Sequence, residues 1–218
     1  MFDKIKNDSE IIEIYKKIEK FENDEKGWAY HNYDHVVNVT NMVEELLKMQ
    51  GYDNQFIDDA KIACILHDVG ALTGKDGHAL RSYEFAKDYF IRNNIELSNK
   101  DLVLEAIRIH SDGFDTDNII ALALILADKL DIKKTRVALE GKNVEGMRQL
   151  LYIEDIHVKI EDNCLNVNFY VGEDIDIEEL NEFYFTKKVF KAIESFSNKI
   201  NLDFCVYMNG DVWNLDLN

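Results

Sequence analysis

The sequence predicts a mainly α-helical protein that ends in a small α+β unit, and three observations carry that reading. Apolar residues recur at helical spacing as far as about Tyr152; beyond it they alternate with polar ones; and proline, the commonest helix breaker, is absent. A length of 218 residues suits one domain with an appendage, divided here into residues 1–150 and 151–218.

The helices follow in order. Ser9 is placed to cap a helix over Ile11 to Phe21, and Asp34 to Gln50 carries Val36, Val39, Val43, Leu46 and Leu47 on one side, with Gly51 to end it. Asn54 to Val69 is apolar around much of its circumference and reads as central. His78 to Asn93, Asn99 to His110 and Asp117 to Asp131 repeat the pattern, with Ser98 and Thr116 as caps.

The tail changes period. Ile156, Val158 and Ile160 alternate, then Leu165, Val167, Phe169 and Val171 do so across Glu161-Asp162-Asn163, which predicts a hairpin. One helix of about Ile177 to Ile200 follows. Leu202 to Met208 then reads as a strand, Asn209-Gly210 as a two-residue turn and Val212 to Leu215 as the last strand, giving ββαββ. So small a sheet needs a cover for its apolar face, and the long helix is the nearest.

Composition narrows the function. With 42 acidic against 25 basic residues the chain carries −17, so it lacks the cation excess that drives binding to long nucleic acids. The longest apolar run, Ile119 to Ala127, is half the length a bilayer span needs, and Met1-Phe2-Asp3-Lys4 begins no signal peptide. Cys64, Cys164 and Cys205 form no Cys-x-x-Cys and leave one thiol over in any disulfide scheme, which fits a reducing cytoplasm.

Five histidines, His31, His35, His67, His78 and His110, fall at or near predicted helix ends, and only His157 lies outside the helical part. The third helix closes on His67-Asp68 after an apolar stretch, so both leave a surface packed inward. Asp128 follows the apolar run Ile119 to Ala127 in the same way. Buried carboxylates need cations or donors. A divalent metal held by His35, His67, Asp68 and Asp128 would satisfy both acids at once; the alternative is a salt bridge from Asp128 to Lys129 or Lys133.

In order, His35, His67-Asp68 and Asp128 resemble the His, His-Asp and Asp of the HD superfamily of metal-dependent phosphohydrolases. The likeness runs over about residues 28 to 136 and includes Ala63-Cys-Ile-Leu-His-Asp-Val-Gly70, Ala106-Ile-Arg-Ile-His110 and Ile125-Leu-Ala-Asp-Lys-Leu130. It implies an HD-type helical bundle. Tyr30-His31-Asn32-Tyr33-Asp34-His35 is similar to a segment of cyclic nucleotide phosphodiesterases, which implies that His31 protonates the leaving oxygen; were that turn helical, positions 31 and 35 would share a face. His78 and His110 resemble the extra histidines of dinuclear members such as the bacterial diadenosine tetraphosphate hydrolases, implying a second metal with Asp68 as the bridging catalytic carboxylate.

The resemblance implies hydrolysis of a phosphate ester or anhydride of a small molecule, above all a nucleotide, by metal-activated water. Iron or manganese leads, with zinc, cobalt and nickel also suited to imidazole and carboxylate donors. Lys129, Arg81 and Arg136, with Arg108, are the cations available to a phosphate. Many dinuclear relatives carry a lysine where this chain has Ala71, and Lys75 reaches the site only if its loop folds back. Two other readings stand beside this one: an oxygen-activating dinuclear iron protein of the HD type, and a non-enzymatic sensing or interaction module with a vestigial site. The ββαββ unit is open to three roles: pairing with a second copy by a strand edge, capping the site, or completing the core.

Overall fold

The structure is a computed structural model describing residues 1–25 and 27–215. Its first region begins with α1 (Phe2–Lys6) and α2 (Ser9–Asp24). Asp8 caps α2 in place of the expected Ser9: its backbone is extended, and its carboxylate accepts the Glu10 N–H at 2.8 Å. Helix α3 (Tyr33–Met49) starts at Asn32, whose side chain accepts from His35 N–H, and ends before Gly51 at φ +75°. Asp53 caps α4 (Asn54–Leu66); the expected continuation to Val69 is replaced by a 3-10 turn over Val69–Thr73.

Helices α5 (His78–Arg92), α6 (Lys100–Ile109) and α7 (Ile119–Leu130) complete this region. Neither expected cap serves here: Asn99 takes the position assigned to Ser98, and Asn118 caps α7 by accepting from Ile120 and Ala121. The Thr116 hydroxyl accepts the Asn118 N–H instead, one step earlier. Every residue of α7 is buried, which explains its uniformly apolar sequence: it is the axis against which α3, α4 and α6 pack.

Strands β1 (Ile153–Glu161) and β2 (Cys164–Val171) form the expected hairpin, with Asp162 and Asn163 both at positive φ in its turn. Strand β2 then pairs in parallel with β3 (Asp203–Met208), a pairing that needs a crossover. Two helices make it, α8 (Ile177–Glu182) and α9 (Tyr184–Lys199), because the chain leaves helical geometry at Phe183, where ψ is 120°. The single helix expected over Ile177 to Ile200 is therefore broken. Strand β4 (Asp211–Val212) is shorter than expected, since Trp213 turns its ring inward, edge-on to Phe169 and to Phe190 of α9.

The sheet order is β1-β2-β3-β4. One face buries Leu165, Val167, Phe169 and Val206 beneath α9, whose other side packs on α7, so the buried apolar side chains of both regions make one continuous core. The three thiols are free, and those of Cys164 and Cys205 lie 3.2 Å apart on neighbouring strands. None of the described helices is long and apolar enough to cross a membrane.

Candidate metal centre

Helix ends bring the chemistry together. His35 lies in the first turn of α3, His67-Asp68 follows α4, His78 opens α5, His110 follows α6 and Asp128 lies in the last turn of α7. Gly70 permits the closest approach: a Cβ there would stand 2.4 Å from the His78 carbonyl oxygen and 2.5 Å from the Ser82 nitrogen. The α5 backbone can therefore lie directly against the turn that carries Asp68.

Two donor groups result, each with its ligand atoms within 4.8 Å of one another: His35, His67, Asp68 and Asp128, and then Asp68, His78 and His110. Asp68 divides between them. Its Oδ2 faces His67 Nε2 at 3.2 Å, and its Oδ1 faces His78 Nε2 at 3.1 Å. All four imidazoles are held by their other nitrogen: Nδ1 of His67, His78 and His110 donates to the carbonyls of Cys64, Lys75 and Ile107 at 2.6–2.8 Å, and Nδ1 of His35 to Asp131 at 2.7 Å. Each Nε2 is left facing the cluster, the nitrogen through which such a ring would bind a metal.

The donors fit a cation. Among the described residues, buried side-chain atoms without a hydrogen-bond partner include His35 Nε2, His67 Nε2 and Asp68 Oδ2, all aimed into one space. The Nε2 atoms of His78 and His110 face each other at 2.8 Å, and the Lys75 ammonium lies 3.2 Å from that of His78, so a positive charge already borders this donor group. Mixed imidazole and carboxylate donors suit a divalent transition metal.

The electrostatics agree. Burial opposes ionisation of Asp68, yet Lys75 and His67 hold it well below the ordinary carboxylate range; Asp128 behaves likewise beside Lys129 and His35. Burial disfavours charge on His67 too, but Asp68 and Asp128 raise it to about 9. This is a negative well enclosed in protein. The Asp128–Lys129 ion pair weighed as the alternative does exist, at 2.5 Å through Oδ2; Asp128 Oδ1 still faces His35 Nε2 at 3.2 Å, so the pair and the donor group coexist. Lys133 pairs elsewhere, with Asp155.

His31 precedes the α3 cap and is not helical, so the shared-face expectation fails; its ring nevertheless lies edge-on to His35, centroids 5.9 Å apart. What places it is Glu22. One carboxylate oxygen accepts the His31 backbone N–H at 2.8 Å and the other meets its Nδ1. Burial raises Glu22 to about 7 and lowers His31, so near neutrality the pair holds one proton between them. Sequence reasoning passed over Glu22 and Asp131. Glu22 had a signal: it continues the buried α2 stripe of Ile11, Tyr15 and Ile18, where a carboxylate is out of place.

The cations divide. Arg81 is a correction: its guanidinium donates to the carbonyls of Gly70, Gly74 and Asp76 and braces the loop, leaving little of it for a phosphate. The loop does fold back, and Lys75 Nζ donates to Asp68 Oδ1 at 3.1 Å. Arg136 donates through Nε to the Asp131 carbonyl, while its buried Nη1 has no partner among the described residues. Lys75, Lys129, Arg136 and His31 all line one cavity of about 960 Å³ that reaches from Asp128 to Phe183.

Residues 32–133 match the HD domain family model, a span containing all six candidate ligands, with His31 one residue before it. Over this span the chain is similar to HD domains. An uncharacterized protein of Clostridium beijerinckii is 28% identical over 149 residues, 66% of this chain and 88% of its own length. The crystal structure of a predicted HD superfamily hydrolase from an uncultured Thermotogales bacterium is 25% identical, with 62% of this chain and 80% of that one covered and a TM-score of 0.43.

Proposed function

We propose that the chain is a metal-dependent phosphohydrolase that cleaves a phosphate ester or anhydride of a small molecule, with a nucleotide as the leading substrate class. The single observation that carries this is the shared carboxylate: Asp68 gives one oxygen to each donor group, whose imidazoles all turn Nε2 toward it. His35, His67 and Asp128 would hold one ion, His78 and His110 a second, and Asp68 both. Divalent ions there supply a Lewis acid for a phosphoryl oxygen and nucleophilic water near neutral pH.

The chain's own groups account for the other requirements. Arg136 offers a buried, unpartnered guanidinium N–H on the cavity wall, positioned for a phosphate oxygen. Lys75 supplies a positive charge beside Asp68, which offsets the lysine missing at Ala71 and weakens the case for a vestigial site. His31, oriented through Nδ1 by Glu22, keeps Nε2 to protonate a departing oxygen, and the Glu22–His31 pair is the proton store. Iron or manganese remains the favoured metal.

Elemental analysis of the purified protein tests this, joined to a phosphatase screen over mononucleotides, cyclic nucleotides and dinucleoside polyphosphates with manganese or iron. Protein that binds neither metal, or binds it and releases no phosphate from any member, defeats the proposal.

A further inference from the structure

The cavity's far end is aromatic, and its rings come from the C-terminal region. Phe183, Tyr184 and Phe185 line it where the chain breaks between α8 and α9, and Trp28 lines it from the α2–α3 connection. The break is locked in place. Gly146, at φ +75°, lies so close that a Cβ there would stand 2.5 Å from Phe183 Cβ, and Glu179 accepts from both the Gly146 N–H and Arg148.

Three consecutive rings at the start of a helix point in different directions, about 100° apart, so they cannot all enter the core. Phe183 is buried, whereas Tyr184 is 60% exposed. Trp28 and Leu80, at 50% and 56%, line the same cavity, so three of the molecule's most exposed large apolar side chains surround one space. Such a concentration marks a surface kept for a ligand. It is also continuous with the metal centre: Lys129 Nζ lies 2.5 Å from Asp128 Oδ2 and 5.9 Å from the centre of the Phe185 ring.

We infer that Tyr184 and Phe185, with Trp28 lining the same cavity, receive a flat aromatic ring of the substrate while its phosphate lies at the Asp68–Asp128 end. The inference rests on the proposed phosphohydrolase reading and adds that the C-terminal region selects the substrate. Ring faces stack on any base, so the wall distinguishes substrates with an aromatic ring from those without one, and separates the four bases weakly.

The test is binding, by calorimetry on the manganese-loaded full chain, of adenosine, guanosine, cytidine, uridine and ribose 5-phosphate. Tyr184 is exposed, so Tyr184→Ala is expected to keep the wild-type melting temperature, which is measured alongside. It should weaken nucleoside binding about tenfold and leave ribose 5-phosphate unchanged, and Tyr184→Phe should restore the loss. Trp28 fluorescence should be quenched by nucleosides and not by ribose 5-phosphate. Failure of all four nucleosides to bind the wild type, or equal loss for nucleosides and ribose 5-phosphate in Tyr184→Ala, overturns the inference and leaves phosphate hydrolysis standing. Nucleoside binding that needs Tyr184, in a protein that hydrolyses no phosphate, upholds the ring site and rejects the phosphohydrolase reading.

Discussion

Glu22 grips His31 at two points, the backbone N–H by one carboxylate oxygen and the ring Nδ1 by the other. The contact joins α2 to the segment entering α3 and fixes both the position of the imidazole and the nitrogen it presents to the cavity. It also sets how the pair titrates, because neither group can be charged cheaply in a buried setting without the other.

The pair yields a pH prediction. With Glu22 raised to about 7, the shared proton is present below that value and is lost as pH rises through it, so turnover should fall on the alkaline side of about pH 7. Glu22→Gln removes the anion that favours protonated His31 and should move this limb to lower pH, with kcat reduced about tenfold or more. An unmoved limb in the pH–rate profile would assign it to another group.

His31→Ala should retain metal and lose about 10² to 10⁴ in kcat, the usual contribution of a positioned general acid. Loss of metal by elemental analysis would instead make His31 a ligand.

Metal content should separate the two donor groups. Asp68→Ala removes the carboxylate common to both and should bring bound metal close to none, whereas His110→Ala should leave the group of His35, His67 and Asp128 loaded. Manganese at about 100 times its dissociation constant should add about 2.7 kcal/mol to the stability of the wild type and nothing to that of Asp68→Ala, read from thermal melts.

A fourth prediction concerns the contact that locks the α8–α9 break. Arg148 holds Glu179 at about 2, below its ordinary 4.5, so the bond contributes above about pH 4.5 and is lost as pH falls toward 2. Glu179→Gln should therefore lower stability at pH 7 by about 1 kcal/mol or less, as for exposed ion pairs, and the difference from wild type should disappear in acid. A difference that persists at pH 2 would show that the amide fails for another reason.

How far the sequence could be read depended on whether a feature was local. The helical region and the hairpins were legible because period and turn chemistry act over a few residues: Asn118 differs from Thr116 as a cap by two positions, and Asn209-Gly210 marks its turn directly. Of the six candidate ligands, His78 and His110 were singled out by the family resemblance, whereas His67, Asp68 and Asp128 stood out because they end apolar helices. Phe183 did not, since the break there is imposed by Gly146 and Glu179 from outside the helix, with no proline or glycine within it. Arg81 was misread for a similar reason: the direction of a long side chain follows a loop fold that the sequence does not spell out. Glu22 was legible in principle and was missed because the expected helix stopped at Phe21, one residue short of it.

Gly70 gives the centre a mechanical stop. With only a hydrogen between main-chain atoms of two segments, there is no side chain that could be trimmed or enlarged to bring His78 nearer Asp68 or to move it away. The separation of the two donor groups is thus limited by backbone thickness, and even a single methyl at residue 70 would pry α5 outward, carrying His78 with it.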